Sequence, residues 1–181
     1  MSALTLGVAA ALSLLPGATT ASAESTRAVA NVPISTYAKI VDGDYDFAYA
    51  TTTDAGQALK DQGFTYEGVA AYIYPTDTRN PDAVPLYQVY NAGRTDHALV
   101  TGELDALKQR GYENQGPIGR VLLARKPGSV PMYALYKRTG HFYTTKESVR
   151  RQYVTARGFA EVQKDNPMYA YTTRHIDSSG N

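Results

Sequence analysis

The sequence predicts a mainly β fold with short helices, in which three related units share one core. A strand led by Val-Pro occurs three times, beginning at Val32, Val84 and Val130. In each copy a returning strand, a short helix and a further strand follow in the same order. A unit of this size cannot bury its apolar face alone. The three units are therefore expected to form a compact pseudo-threefold assembly, trefoil-like or like a small propeller.

The start of the chain has the pattern of an export signal. An apolar run covers residues 4–17 and is too short to cross a bilayer as a resident helix. Ala-Ser-Ala follows at 21–23, as at a signal-peptide cleavage site. A buried N-terminal helix is the alternative that this pattern disfavours. Residues 1–23 are predicted to be a signal peptide, and the mature protein is predicted to be secreted and to start near Glu24.

The rest of the chain is predicted to form one domain. The sequence contains no cysteine, which excludes disulfides, thiol catalysis and cysteine-bound metals, so the core alone must stabilise the fold. The predicted segments are an N-terminal extension (24–31), unit 1 (32–75), a linker (76–83), unit 2 (84–129), unit 3 (130–173) and a disordered tail (174–181).

Each unit is predicted to open with a hairpin. Proline at the start of the first strand is tolerated because its missing N–H does little harm there. Tyr87 and Tyr90 are three residues apart, as are Tyr133 and Tyr136, and such pairs point to opposite faces of a strand. A polar turn, such as Asn-Ala-Gly-Arg-Thr at 91–95, leads into the returning strand. Tyr133 and Tyr136 are interpreted as mainly structural.

A short helix and a closing strand are predicted after each hairpin. Ser, Thr or Asp caps the start, and Gly63, Gly111 or Gly158 stands where a left-handed residue ends a helix. Thr144 and Glu147 have capping-box spacing, which predicts the start of the third helix. The closing strands are predicted at 69–75, 121–127 and 167–173.

The charge composition argues against two classes of partner. With 18 basic and 17 acidic residues, the net charge is +1, so the chain lacks the basic field that nucleic acids and anionic membranes attract. No membrane span is predicted after signal cleavage. Tyrosine is unusually frequent, with 15 Tyr, 4 Phe and no Trp. Tyrosine suits half-buried strands and glycan- or protein-binding surfaces equally well.

The repeated motifs are Val-Pro-Leu-Tyr at 84–87, Asp-His at 96–97 and His-Phe-Tyr-Thr-Thr at 141–145. They resemble a tyrosine-rich repeat family of exported, mainly bacterial proteins. Its units run Val-Pro-Leu-Tyr-Arg-Leu-Tyr-Asn, then Asp-His-Phe-Tyr-Thr-Thr, then Gly-Tyr or Gly-Trp near Glu-Gly. The resemblance covers about residues 32–171. It implies an extracellular accessory module of a domain family of unknown function, often appended to secreted hydrolases, and it implies no activity.

The three units differ at the Asp-His pair of that family. The copies are Asp46-Phe47, Asp96-His97 and Gly140-His141. The aromatic residue and tyrosine that follow the pair are complete as Phe142-Tyr143. A site carried by these units therefore need not exist in triplicate.

The candidate ligand-binding residues belong to the returning strands. The Asp-His pair follows a turn, where side chains are expected to be presented rather than packed. Aromatic faces beside Asp, Asn and His are a common means of holding sugar rings. Because a dry core does not need so many hydroxyls, some tyrosine tips are expected to reach a surface groove. The candidates are Asp46, Tyr49, Asp96, His97, His141 and Tyr143.

The sequence predicts no metal site, no cofactor and no catalytic residue. The only histidines are His97, His141 and His175, and they lack ligand spacing, so a histidine bonded to a nearby carbonyl or carboxylate is preferred. No serine stands in Gly-x-Ser-x-Gly, and no phosphate-binding glycine loop is present. A carboxylate pair for glycoside hydrolysis stays open, since nothing singles out two of the acidic residues.

The leading functional hypothesis is a secreted, non-catalytic binding module for a glycan or a cell-envelope polymer. The alternative is a secreted protein that binds or inhibits an extracellular enzyme. A hydrolase with an unrecognised acid pair is the third hypothesis.

Overall fold

The computed structural model describes residues 29–138, 140–165 and 167–177. The predicted signal peptide lies outside the described residues. The elements are β1 (Val29–Ala30), β2 (Val32–Val41), β3 (Asp44–Ala50), α1 (Thr53–Asp61), β4 (Thr65–Ile73), β5 (Ala83–Asn91), β6 (Asp96–Val100), α2 (Leu104–Gln109), β7 (Glu113–Leu122), β8 (Val130–Lys137), β9 (Gly140–Thr144), α3 (Glu147–Arg157), β10 (Ala160–Val162), β11 (Met168–Ala170) and β12 (Ile176–Asp177).

The described fold is mainly β with three short helices, as the sequence predicts. The order strand, strand, helix, strand occurs from β2 to β4, from β5 to β7 and from β8 to β10. The first two strands of each set form an antiparallel hairpin. The last strand pairs with the other side of the first, so β2, β5 and β8 are each central to their set. The trefoil-like or propeller-like arrangement of the sets stays a prediction.

The strands of different units are joined into larger sheets. Strand β11 lies between β7 and β8 and so connects units 2 and 3 in one sheet. Strands β3, β2 and β4 form a separate three-stranded sheet. Isolated bridges from Tyr72 to Tyr171 and from Tyr74 to Arg120 attach the end of β4 to the larger sheet.

The main core lies where the returning strands meet. Strands β3, β6 and β9 contact one another in every pairing. The rings of Phe47 and Phe142 lie 5.1 Å apart, and those of Tyr49 and Tyr143 lie 5.5 Å apart in an edge-to-face arrangement. Leu99 of β6 belongs to the same buried cluster. Side chains from all three units therefore complete one core.

The glycines at the helix ends have the predicted conformation. The φ angles of Gly63, Gly111 and Gly158 are 87°, 84° and 70°, in the left-handed region that favours glycine. At the start of α1, Thr52 Oγ1 accepts a hydrogen bond from the backbone N–H of Ala55 at 3.2 Å. This threonine caps the helix as the sequence predicts.

The predicted capping box at the start of α3 is wrong. The N-cap is Lys146, whose side chain makes no capping hydrogen bond. Thr144 Oγ1 instead accepts a hydrogen bond from the backbone N–H of Lys146 at 3.1 Å. The carboxylate of Glu147 is held by the Arg150 guanidinium at 2.6 and 2.8 Å. Glu147 is the first residue of α3 and not the third, so it cannot close a capping box with Thr144.

The ends of the described chain pair with each other. Ile176–Asp177 forms β12 and pairs antiparallel with Val29–Ala30. The structure therefore places a short strand within the predicted disordered tail and another within the predicted extension. No helix of the described residues is long and apolar enough to cross a membrane.

Candidate functional site

Two Asp–His contacts join neighbouring hairpins. Asp46 Oδ1 of β3 lies 2.8 Å from His97 Nδ1 of β6. The carboxylate oxygens of Asp96 in β6 lie 2.9 and 3.0 Å from His141 Nδ1 of β9. Each of these two histidines thus bonds a carboxylate, as predicted, and the carboxylate belongs to the preceding unit.

The carboxylate of Asp96 is fully buried and has several donors around it. Its exposed fraction is 0 %. It accepts hydrogen bonds from the Tyr112 hydroxyl at 2.5 Å and from the backbone N–H of His141 at 3.2 Å, besides the ring contact. Burial raises the pKa of Tyr112 to about 12, and the hydrogen bond and charge of Asp96 add to this. These partners compensate Asp96 for its lost hydration.

The hydrogen-bonding roles of the two His141 ring nitrogens follow from the partner of Nδ1. A carboxylate only accepts hydrogen bonds, so Nδ1 is the donor in the contact with Asp96. In the neutral ring Nε2 is then the acceptor. The side chain of His141 is 20 % exposed, so the histidine side of the Asp96–His141 contact reaches solvent.

The third hairpin contact has neither an aspartate nor a histidine. Gly140 stands at the start of β9, and a Cβ on it would lie 3.3 Å from Cδ2 of Phe47 in β3. The same Cβ would lie 2.3 Å from the carbonyl oxygen of Tyr45. Phe47 also packs against Phe142 and Phe159. An apolar contact therefore takes the place of a buried polar one.

An aromatic ring accompanies each histidine. The ring of Tyr90 lies 4.3 Å from that of His97, and the ring of Tyr136 lies 4.6 Å from that of His141. Both tyrosines pair across the hairpin with their histidine and are half-buried. In unit 1 the cross-strand partner of Phe47 is Ala38. Units 2 and 3, which have the histidine on the returning strand, thus also have the tyrosine opposite it, and unit 1 has neither.

Two core tyrosines bond the backbone of neighbouring hairpins. The Tyr49 hydroxyl donates to the carbonyl of His141 at 2.9 Å and accepts from the N–H of Tyr143 at 3.2 Å. The Tyr143 hydroxyl donates to the carbonyl of Leu99 at 3.1 Å and accepts from its N–H at 3.0 Å. Burial raises the pKa of both phenols. These two hydroxyls are therefore engaged by backbone groups within the core.

The structure thus differs from the expectation that the candidate residues are presented at the surface. Asp96 and His97 are buried, and each bonds a residue of a neighbouring hairpin. Of the candidates, His141 is half-buried. The buried candidates are Asp46, Tyr49, Asp96, His97 and Tyr143. A ligand-binding role for these residues stays a prediction.

A groove of about 910 Å³ lies beside His141, between units 2 and 3. Tyr136, Tyr143 and Tyr112 line it together with His141. One wall comes from α2 and its ends, and the other from residues 162–165. The Asp96–His141 contact therefore lies at the edge of this groove.

Charged side chains from separate segments line the groove. The cations are Arg94, Arg110 and Lys164, and the anions include Glu103 and Asp165. All are exposed. They come from a turn, the two ends of α2 and a loop, so no spacing in the sequence connects them. Sequence reasoning missed them for this reason, and the turn position of Arg94 was the only signal available.

The described residues contain no group of three or more His, Cys, Asp or Glu side chains that could hold a metal ion. His97 and His141 face different aspartates.

A model of a known family matches most of the chain. The family model "Domain of unknown function (DUF5648)" matches residues 35–171, a range that contains the three helices of the described chain and its three hairpins apart from residues 32–34 of β2. No curated protein and no solved structure matches the chain.

Proposed function

We propose that this chain, which belongs to the family described as Domain of unknown function (DUF5648), is a secreted, non-catalytic binding module for a glycan or cell-envelope polymer. The observation that carries the proposal is the groove of about 910 Å³ beside Tyr136 and His141. Its size lies within the range of roughly 300–1,000 Å³ common for ligand sites.

The lining of the groove suits a sugar. The half-buried ring of Tyr136 offers an apolar surface on which the C–H face of a pyranose can stack. Arg110 and Lys164 supply donors for hydroxyl groups, and Glu103 and Asp165 supply acceptors. Asp96 is fully buried and so supports His141 from behind rather than meeting a ligand.

A pull-down on insoluble peptidoglycan, chitin and cellulose tests the proposal. The parent is expected to be retained by at least one polymer. The variant with Arg110→Ala and Lys164→Ala is expected to lose retention, because both side chains line the groove and are exposed. Lys108→Ala is the matched control, an exposed cation of α2 outside the groove lining. Retention of the parent by none of the three polymers overturns the proposal.

A protein-binding or inhibitor role is the second candidate, and the hairpin tip of unit 1 favours it. Ile40 and Tyr45 pair across this hairpin and are 64 % and 42 % exposed. An exposed pair of large apolar side chains is a common anchor in protein interfaces. Loss of binding to a secreted hydrolase in the variant Ile40→Ser, Tyr45→Ser would support this role. Retention by a polymer that these substitutions leave unchanged would favour the groove.

The pseudo-threefold arrangement is part of the proposal. It is supported by the mutual contacts of β3, β6 and β9 and by the Asp–His contacts, each of which runs from one unit to the next. A fragment of unit 2 alone, residues 84–127, is expected to be unfolded, because other units complete its core. Dispersed amide signals from this fragment would contradict the shared core.

Secretion is also proposed, on the basis of the predicted signal peptide. Mass analysis of exported protein is expected to show a chain that starts near Glu24. An intact Met1 in that material would overturn this part of the proposal.

A further inference from the structure

We propose that a cleft beside Tyr66 in unit 1 is a second binding site and that it takes one pyranose ring of a neutral sugar. The cleft has a volume of about 330 Å³. The side chain of Tyr66 is 49 % exposed, although it is large and mostly apolar. This cleft is formed by β2, β4 and α1 and is separate from the groove beside His141, so it can bind sugar whether or not that groove does.

The ring of Tyr66 is held in place before any ligand arrives. Tyr66 pairs across strands with Tyr37, and the two rings lie 5.5 Å apart at 61°. Tyr37 is itself fixed, because its hydroxyl fills the space above Gly56, where an added Cβ would meet it at 2.2 Å. A supported aromatic ring loses little conformational freedom on binding.

The other groups of the cleft are mostly neutral and polar. Ser35, Thr53 and Gln57 offer hydroxyl and amide groups that both donate and accept hydrogen bonds. Lys60 is the one charged side chain in the lining of this cleft. Hydroxyls and an amide beside an aromatic ring match the alternating C–H faces and hydroxyl edges of a sugar.

In unit 3, two side chains of the protein, Tyr133 and Arg150, occupy the corresponding place. The hairpin register puts Ser35 of unit 1 and Tyr133 of unit 3 at the same position, paired with Ala50 and Thr144. The Arg150 guanidinium lies over the Tyr133 ring at 5.1 Å from its centroid. A flat, hydrogen-bonding group therefore occupies a tyrosine face at this position of the fold.

Two carboxylates hold that guanidinium. Arg150 donates to Glu147 at 2.6 Å and to Glu161 at 2.7 Å. Both acids pair with the guanidinium charge, as Arg–carboxylate contacts commonly do. The place over Tyr133 is therefore matched to a cation.

In unit 1 the cation and its two acids are replaced. Thr53 is the first residue of α1, as Glu147 is of α3, and the fourth residue is Gly56 in place of Arg150. Tyr66 occupies the position in unit 1 that Glu161 occupies in unit 3. Tyr66 pairs with Tyr37, and Glu161 pairs with Leu135, which is the residue of unit 3 that corresponds to Tyr37. Unit 1 thus has a glycine where unit 3 has the arginine, and it has the hydroxyl groups of Thr53 and Tyr66 where unit 3 has two carboxylates. A neutral, hydroxyl-rich ring fits this chemistry better than a cation does.

Native affinity electrophoresis in gels that contain hydroxyethylcellulose, glycol chitin, xyloglucan or laminarin tests the inference. The parent and Tyr66→Phe are expected to be retarded by at least one of these neutral polysaccharides. Tyr66→Ala is expected to bind about tenfold more weakly, because it lacks the ring. Tyr87→Ala is the control, since it removes a half-buried tyrosine of β5 that lines neither this cleft nor the groove beside His141, and it is expected to behave as the parent.

Equal retardation of Tyr66→Ala and the parent overturns the inference, as does unchanged migration of the parent in all four gels. The variant with Arg110→Ala and Lys164→Ala separates the two sites. If this variant alone loses retardation, the sugar binds in the groove beside His141, and the second site is overturned while the proposed function stands. Unfolding curves of each variant confirm that it is folded under the gel conditions.

Discussion

Gly140 packs against Phe47 at the hairpin contact between units 3 and 1, where a Cβ on the glycine would lie 3.3 Å from the phenyl ring. At the two other contacts an aspartate faces a histidine, as Asp46 faces His97 at 2.8 Å. Replacing both partners leaves neither a lone buried carboxylate nor a lone buried imidazole. Such an exchange costs less than the loss of one partner.

The Gly140 contact leaves no room for a side chain. Gly140→Ala is expected to lower the free energy of unfolding by roughly 2 kcal/mol, because its Cβ would lie 2.3 Å from the carbonyl oxygen of Tyr45. Urea unfolding measures the effect. Gly102→Ala is the control, since a Cβ there meets nothing within 4 Å. Equal urea midpoints for the two variants would contradict the close contact between Gly140 and the carbonyl oxygen of Tyr45.

The double change Asp96→Ala, His97→Ala tests whether the Asp-His pair is structural. It removes hydrogen bonds to His141, Tyr112 and Asp46, so a loss of roughly 2 kcal/mol or more is expected. The exposed pair Asp105→Ala, Lys108→Ala should stay within about 0.5 kcal/mol of the parent.

Polymer retention measured on the same Asp96→Ala, His97→Ala protein completes this test. Unchanged urea midpoints together with lost retention would make the pair a ligand contact and would contradict its structural role.

The Tyr143 hydroxyl is expected to stabilise the contact between β9 and β6. Tyr143→Phe leaves the N–H and carbonyl of Leu99 without that partner in a buried place, which should cost roughly 1–3 kcal/mol. Tyr66→Phe removes a hydroxyl from a side chain that is 49 % exposed and should have little effect. Thermal unfolding of both variants is the measurement, and similar losses would argue against the buried hydrogen bonds.

The pKa of Tyr112 makes part of the stability depend on alkaline pH. Burial raises this pKa from 10.0 to about 12, so the folded protein keeps a proton that the unfolded chain loses more easily. The resulting stabilisation is complete below about pH 10 and is lost as the pH rises towards about 12.

The comparison of the parent with Tyr112→Phe isolates this effect from the other tyrosines. Between about pH 9 and about pH 11, the parent should lose about 1 kcal/mol more than the variant. Urea unfolding at the two pH values measures the difference. Parallel losses would mean that Tyr112 is not held protonated by the fold.

The helix ends require glycine. Gly111→Val and Gly158→Val should each cost about 1 kcal/mol or more, since φ angles of 84° and 70° are unfavourable for a β-branched residue. Gly102→Val is the control at a position without a positive φ angle. Melting temperatures of both cap variants that equal that of the control would contradict the assigned ends of α2 and α3.

Local features could be predicted because they depend on neighbours in the sequence. The hairpins follow from strand and turn patterns, and the left-handed conformations of Gly63 and Gly158 follow from their places after helices. The capping-box spacing of Thr144 and Glu147 misplaces the start of α3, because the helix begins at Glu147 itself, which bonds Arg150. The strand at Ile176–Asp177 was missed because its partner is at the other end of the chain.

Most of the candidate site could not be predicted because it depends on how the units dock. The sequence identified Asp96 and His141 as candidates, but it does not show that they contact each other across 45 residues. Burial of Asp96 follows from that docking, and so does the groove. Arg110 and Lys164 meet there only in the folded chain.

Chemical-shift mapping tests the central claim, that the groove beside His141 binds a glycan, most directly. Isotope-labelled protein is titrated with soluble oligosaccharides prepared from the polymer that retains it. The account predicts that the perturbed amides cluster in residues 107–112 and 162–165, the two walls of the groove. Perturbations confined to the hairpin tip at residues 40–45, or none in either wall at saturating oligosaccharide, would contradict it.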